Sequence, residues 1–162
     1  MKHISGQYYH IYNRGVEKRN IFACDENYHY HFLVRAAEDD GVSPFLQRLF
    51  NSYTQAFNKQ EKRSGTLFES RAKSVLIDAN SYLFHMARYI HLNPVRAGLT
   101  QRPQDWVYSN YPEFIDLCKG TLYESAFVQE QFGTPQEYRK FVENAIPDEI
   151  ERKFEKYKLD DQ

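Results

Sequence analysis

Hydrophobic residues change their spacing along this chain, and the change limits the folds that it can adopt. Along residues 7–12 (QYYHIY) the side chains are aromatic or β-branched and alternate as a strand requires, and the turn sequence at 13–15 ends the strand. Along residues 43–59 apolar side chains recur three and four positions apart after a serine and a proline, which predicts an amphipathic helix. The chain is therefore expected to combine strands with helices.

Further segments follow the same two periods. Residues 29–35 (HYHFLVR) are β-prone, and a second helix is predicted from Asn80, with Pro94 bending or interrupting it before Gly98. Weaker signals predict a helix start at 25–28, two strand-like pieces within 66–77, a helix over 134–144 and a polar, frayed end over 147–162.

Length and composition favour one domain with an appended tail. A chain of 162 residues suits a single core, predicted here over residues 1–118 and followed by a helical tail over 119–162. No apolar run is long enough to cross a bilayer and no signal-peptide pattern is present, which predicts a cytoplasmic protein without a membrane partner. Cys24 and Cys118 are far apart and lack a CxxC partner, so neither a disulfide framework nor a cysteine zinc site is indicated.

Charge is unevenly distributed although the net charge is only -1. Basic side chains gather in residues 14–19 and 59–73, whereas acidic side chains gather in residues 38–40 and from Asp148 onward. A basic face can therefore coexist with an acidic one, and phosphates of nucleic acid are attracted to basic faces. The 13 tyrosines and 12 phenylalanines can either stack on bases or fill a core.

Two histidines stand two positions apart on the predicted strand 29–35. Side chains at that spacing point to the same face of a strand, so His29 and His31 converge there. Neutral imidazoles are common ligands of divalent metals, and two of them can hold an ion if a third ligand approaches. The alternative interpretation is a pair of partly exposed strand histidines without a ligand.

A tyrosine and an asparagine stand four positions apart on the predicted second helix. Tyr89 and Asn93 therefore share one helical face, with His85 a turn earlier on the same side. A tyrosine hydroxyl has an ordinary pKa of about 10 and is a poor nucleophile, so cleavage of a phosphodiester requires that a metal neutralise the phosphate. The alternative interpretation is that Tyr89 is one more aromatic residue of the core.

Residues 88–98 (RYIHLNPVRAG) closely resemble the R-Y-I-x-x-N-P-V-R-A-G signature of the REP-associated tyrosine transposases and related single-tyrosine HUH transposases. Other segments resemble further elements of that family in the expected order. These segments are YHIYNRG at 9–15 (first strand and turn), HFLVR at 31–35 (end of the HUH strand), GTLFESR at 65–71 (the G-x-L-(W/F)-x-x-R element) and WVYSNY at 106–111 (W-x-x-S-x-Y).

The resemblance implies a ferredoxin-like α+β domain, with an antiparallel sheet and helices packed on one face, that works as a homodimer. It implies that Tyr89 is the nucleophile that becomes linked to a 5′-phosphate, and that His31 and Asn93 bind Mg²⁺ or Mn²⁺, with His29 as a further ligand. The basic side chains expected along the DNA path are Arg14, Lys18, Arg19, Arg63, Arg71, Lys73 and Arg96.

The chain departs from the family pattern between residues 25 and 31. The family has a longer first helix and a further strand before its HUH strand, whereas here residues 25–30 run directly into HFLVR. Two interpretations stay open at this point. His29 is the first histidine of the HUH pair, or it belongs to a shortened helix and a helix-strand segment is missing.

The function implied by the resemblance is cleavage and rejoining of single-stranded DNA beside a hairpin, as in transposition and DNA recombination on the nucleoid. One alternative is an inactive relative that binds a DNA hairpin through basic loops and aromatic side chains without cutting it. A second alternative is a metal-dependent hydrolase that activates water, for which no H-E-x-x-H motif is present.

Overall fold

The structure, a computed structural model of the chain, describes residues 2–22, 28–78, 80–121, 125–144 and residue 152. The strands are β1 (Tyr8–Arg14), β2 (His29–Arg35) and β3 (Lys73–Ile77). The helices are α1 (Val42–Gln60), α2 (Asn80–Arg96), α3 (Tyr111–Phe114), α4 (Ser125–Phe132) and α5 (Pro135–Glu143). The α+β class with an antiparallel sheet is thereby confirmed. Residues 25–27 and, apart from residue 152, the segment 147–162 lie outside the described residues.

The chain divides into two compact units, the first ending at Leu83 and the second beginning at Phe84. The first unit holds the sheet and α1, and the second holds most of α2 together with α3, α4 and α5. In the part of the chain that is described, no helix combines the length and the hydropathy that a bilayer crossing requires.

The sheet of the first unit has the strand order β2-β1-β3, and both neighbours of β1 run antiparallel to it. The register pairs Tyr12 with His31 on one side and with Lys73 on the other. Residues directly opposite each other in an antiparallel pair share a face of the sheet. The register therefore decides which side chains meet across the strands. It also assigns each strand residue to one of the two faces of the sheet.

One face of the sheet packs against α1 and forms the core of the first unit. Tyr9 and Ile11 of β1, Tyr30 of β2 and Leu46 of α1 are buried together there. Aromatic rings from three elements close this core, with the ring centroids of Tyr30 and Phe50 4.7 Å apart. Because this face is apolar, its burial anchors the sheet against α1.

The predicted strand pieces within 66–77 are realised only in part. Residues 73–77 form β3, but residues 66–70 make one isolated bridge, between Phe68 and Gly15, so the prediction of a strand there was wrong. The hydrogen bonds of residues 66–70 explain why this segment does not form a strand. The Glu69 N–H donates to the carbonyl of Arg14, at the end of β1, and the Val16 N–H, beyond β1, donates to the Leu67 carbonyl. At Ser70 the carbonyl accepts from the side-chain amide of Asn13 instead of from a backbone N–H.

The two predicted long helices are present with altered ends. The first begins at Val42, so Ser43 lies inside its first turn and does not cap it. The second continues through Pro94 to Arg96, where Pro94 was expected to bend or interrupt it. It ends because Gly98 adopts a left-handed backbone, φ 73°, while the amide of Leu99 bonds back to the Pro94 carbonyl.

The second unit has its own core around the short helices. Tyr111 and Phe114 of α3, Val128 of α4 and Tyr138 of α5 are buried against one another. The predicted helix over 134–144 is confirmed as α5, and Thr134 caps it by accepting the amide of Glu137 at 3.2 Å. Tyr111, the last residue of the W-x-x-S-x-Y segment, is therefore a core residue.

Candidate functional site

The face of the sheet opposite α1 gathers the histidines, and we call it the histidine face. On β1 it presents His10 and Tyr12, which alternate with the core residues Tyr9 and Ile11. The pairing register extends this face to both neighbouring strands. Its members are Tyr8, His10, Tyr12, Arg14, His29, His31, Leu33, Arg35, Lys73, Val75 and Ile77.

The imidazole rings of the histidine face are close to one another. The ring centroids of His29 and His31 are 5.2 Å apart, and the two rings meet edge to face. The rings of His31 and His10 lie edge to edge: their centroids are 5.2 Å apart, their planes are 15° apart, and Nδ1 of His31 lies 2.9 Å from Nε2 of His10. The predicted convergence of His29 and His31 on one face of a strand is therefore confirmed.

The environment of His10 and His31 favours the neutral form of both rings. Burial, followed by the neighbouring His10 and His29, holds the pKa of His31 well below its ordinary value. Burial alone lowers the pKa of His10 to about 3. A neutral imidazole has one nitrogen with a lone pair, which is the donor that a divalent metal requires.

The imidazole nitrogens of the histidine face are a ligand type that divalent cations accept, but they do not form a complete binding site. Within the described ranges, no group of three or more histidine, cysteine, aspartate or glutamate side chains is arranged to hold a metal ion. A third donor of another type, such as an amide oxygen, is needed to complete a site.

The predicted nucleophile lies on α2 in the second unit. Tyr89 and Asn93 are one turn apart on this helix, as predicted, and the guanidinium of Arg96 lies 5.9 Å from the centre of the Tyr89 ring. The Tyr89 side chain is only 2% exposed, whereas Asn93 is half-buried. Helical spacing thus brings together a phenol, an amide and a cation on one helix.

Two other residues of the 88–98 signature have structural roles within the second unit. Arg88 is buried and donates hydrogen bonds to the carbonyls of Asn144, at 2.6 Å, and Val142, at 3.4 Å, at the end of α5. Its guanidinium also lies 4.4 Å from the centre of the Phe141 ring. A cation at the C-terminal end of a helix neutralises the exposed carbonyls and the helix dipole.

Replacing Arg88 by Met should lower the free energy of unfolding by about 3 kcal/mol, because two carbonyls at the end of α5 lose a charged donor in a buried setting. Urea denaturation followed by circular dichroism measures the change. Arg96→Met, on the same helix but exposed, is the matched control and should change stability by less than about 1 kcal/mol. Equal stability of Arg88→Met and wild type would contradict the assigned role.

His91 links three elements of the second unit. Its Nε2–H donates to the side-chain oxygen of Asn110 at 3.3 Å, and its Nδ1 accepts from the hydroxyl of Tyr138 at 2.9 Å. Burial lowers the pKa of His91 to about 4, while the bond to Asn110 acts in the opposite direction. The folded chain thus keeps this imidazole neutral at pH values where the unfolded chain protonates it.

The folded chain should therefore lose stability as the pH falls from about 6.5, the ordinary pKa of histidine, toward about 4. In this window the unfolded state binds a proton that the folded state does not, and His91 contributes a loss of about 1.4 kcal/mol per pH unit. Urea denaturation at pH 7, 6 and 5 measures the slope. His91→Gln should give a shallower slope than wild type, and identical slopes would contradict the prediction.

The predicted DNA-binding residues divide into two groups. Arg14 forms an ion pair with Glu69, with one of its contacts at 3.1 Å. The Arg19 guanidinium binds the Val16 carbonyl, and Arg63 binds Asn58 and the Thr66 carbonyl. The exposed side chains of the set are Lys18, Arg71, Lys73 and Arg96. Arg14, Arg19 and Arg63 are thus engaged by hydrogen bonds within the chain. The four exposed side chains suit phosphate contacts better, because their charges lie at the surface.

Two residues of the histidine face were not singled out from the sequence. His10 and Tyr12 alternate with core residues in the first strand, and their ring centroids are 4.8 Å apart. Their positions in an alternating strand indicate that they share a face, but the sequence does not reveal that His31 and Lys73 pair with Tyr12. Only the register of the sheet brings these side chains together.

Comparison of the chain with the models of protein families, with curated proteins and with solved structures finds no match. A function for the chain therefore depends on the chemistry of its described residues and on the sequence resemblance of the 88–98 segment.

Proposed function

We propose that this chain is a single-tyrosine HUH transposase that cleaves and rejoins single-stranded DNA beside a hairpin. In this proposal it acts on the nucleoid as a homodimer, with Tyr89 as the nucleophile and a divalent cation, Mg²⁺ or Mn²⁺, held by His29, His31 and Asn93. The exposed cations Lys18, Arg71, Lys73 and Arg96 bind the DNA backbone.

The observation that supports this proposal most strongly is the content of the histidine face. His31 and Lys73 flank Tyr12 in one row of the sheet, and His29 and Arg14 pair in a neighbouring row. An imidazole pair near the exposed cation Lys73 suits a metal-bound phosphodiester, since the imidazoles bind the ion and the cation attracts the phosphate. Imidazoles beside a cationic side chain would add little to the stability of a sheet face that had only a structural role.

The covalent step exchanges one phosphate ester for another. The Tyr89 hydroxyl oxygen bonds to phosphorus, the bond from phosphorus to the 3′-oxygen breaks, and the departing oxygen takes up a proton to become a 3′-hydroxyl. The phenol proton passes to solvent. When bound, the cation acts as a Lewis acid that neutralises charge on the phosphate. Because the 5′-phosphotyrosine keeps the ester bond, attack by another 3′-hydroxyl reseals the strand without a nucleotide cofactor.

The burial of Tyr89 adds a requirement to the proposal. With 2% of its side chain exposed, the hydroxyl cannot contact a DNA phosphate unless the residue becomes accessible. The reaction therefore needs a conformational change that DNA or the cation induces, as in enzymes that assemble their sites on binding substrate.

A covalent-adduct assay tests the proposal. The chain is incubated with a 5′-extended hairpin oligonucleotide labelled at its 3′ end and with Mn²⁺ or Mg²⁺, and is then separated on a denaturing gel. The proposal predicts a labelled band at the mass of the protein plus DNA, and its loss in the presence of EDTA.

The same experiment separates the alternatives. A hairpin that shifts on a native gel without forming an adduct indicates an inactive binding module, for which the burial of Tyr89 is the supporting observation. Cleaved DNA without an adduct indicates a hydrolase that uses water. Either result contradicts the transposase proposal.

A further inference from the structure

The contact between His10 and His31 has a consequence for the proposed metal site. The two side chains occupy diagonal positions on adjacent strands, because His10 pairs with Leu33 and His31 pairs with Tyr12. Nδ1 of His31 and Nε2 of His10 are 2.9 Å apart, which is a hydrogen-bond distance between nitrogen atoms. One of these nitrogens must therefore carry the shared proton.

The ring of His31 is also fixed in its plane. Its plane is 15° from that of His10, and it is 23° from that of Tyr12, whose ring centroid is 6.1 Å away. His10 itself is fully buried, and a ring nitrogen that bears no proton can accept a hydrogen bond. The hydrogen bond and the neighbouring rings together restrict the rotation of the His31 ring.

We propose that His10 is a positioning residue for the metal site: its Nε2 accepts the Nδ1–H of His31, so that the Nε2 of His31 is the nitrogen that bears the lone pair for a divalent cation. This inference rests on the proposed function, which makes His31 a metal ligand. Histidines that bind metals commonly donate their second ring N–H to a neighbouring acceptor, which fixes both the tautomer and the orientation of the ring.

The opposite arrangement has a different chemical outcome. If His10 donated to Nδ1 of His31, the single proton of the neutral His31 ring would stand on Nε2, and that nitrogen could not bind a cation. The direction of one hydrogen bond therefore decides whether His31 can serve as a ligand.

The first test measures cation affinity of the full chain by isothermal titration with Mn²⁺. His10→Phe keeps an aromatic ring but removes the acceptor, and it should weaken Mn²⁺ binding about tenfold to a hundredfold. His10→Gln retains an amide oxygen that can accept the His31 proton, and it should recover part of this loss.

A matched control is available in the same unit. His3 is buried and hydrogen-bonded to Ser74 at 2.9 Å, and it packs against Tyr9 of the core, so it belongs to the opposite side of the sheet. His3→Phe should perturb stability as His10→Phe does, yet leave Mn²⁺ affinity within about twofold of wild type, because no predicted ligand contacts His3.

The second test reads the tautomer of His31 directly, by nitrogen-15 NMR of the wild-type chain with Zn²⁺ as a diamagnetic cation. A proton on Nδ1 supports the inference, and a proton on Nε2 overturns it even if His10→Phe fails to fold. Equal Mn²⁺ affinity of His10→Phe and wild type overturns the inference alone. A wild-type chain that binds no cation overturns both the inference and the metal-dependent function.

Discussion

Replacing Tyr89 by Phe should abolish the covalent adduct with a hairpin oligonucleotide. The substitution removes the oxygen that we propose attacks phosphorus, and it keeps the ring that fills the buried position. The rate of adduct formation is expected to fall at least about a thousandfold, to the background of the assay, because no other group replaces the nucleophile. A denaturing gel with labelled DNA measures this rate.

Two controls make that result interpretable. Tyr108→Phe alters an exposed tyrosine of the same unit, and it should form the adduct at the wild-type rate. A native gel should show that Tyr89→Phe still binds the hairpin, since the ring and the basic side chains are intact. Adduct formation by Tyr89→Phe at the wild-type rate would refute the assignment of the nucleophile.

The second large effect is expected at the metal site. His31→Ala removes one of the two imidazoles proposed to bind the cation and should reduce Mn²⁺-dependent cleavage about a thousandfold, since loss of Lewis-acid stabilisation costs about 4 kcal/mol in the transition state. The measurement is the single-turnover rate as a function of Mn²⁺ concentration. Removal of the cation by EDTA should have the same effect on the wild-type chain.

His3→Ala is the control for this prediction. It also removes a buried, hydrogen-bonded histidine, but from the core side of the sheet, and should leave the cleavage rate within about twofold of wild type at a temperature where both variants are folded. If His31→Ala cleaves as fast as His3→Ala, the imidazole pair does not hold a catalytic cation.

Sequence periodicity predicted the main elements of the fold because each has a long or strongly patterned segment. Residues 43–59 and 29–35 are the clearest cases, and both became single elements close to the predicted bounds. Short elements such as α3, with four residues, were not predicted, since their helical form depends on burial of Tyr111 and Phe114 in the second core. The bridge at Phe68 depends likewise on a tertiary contact, with Gly15.

In the candidate site, the sequence could predict only which side chains share a face of the same strand or helix. The i,i+2 spacing of His29 and His31 and the i,i+4 spacing of Tyr89 and Asn93 place each pair on one face of its own element. The register that brings His10 to His31 depends on how whole strands align, which no local pattern specifies. The structural roles of Arg88 and His91 also require the tertiary fold, although both lie inside the recognised signature.

Peptide mapping of the adduct tests the central claim most directly. Trypsin cuts after Arg88 and Arg96, so the peptide 89–96 contains Tyr89 as its single tyrosine, whereas the peptide 3–14 contains the tyrosines of β1, including Tyr12. After nuclease digestion of the adduct, the account predicts that mass spectrometry finds a nucleoside 5′-phosphate on the peptide 89–96. A nucleotide found on any other peptide, or on none, would contradict the proposal that Tyr89 cuts DNA.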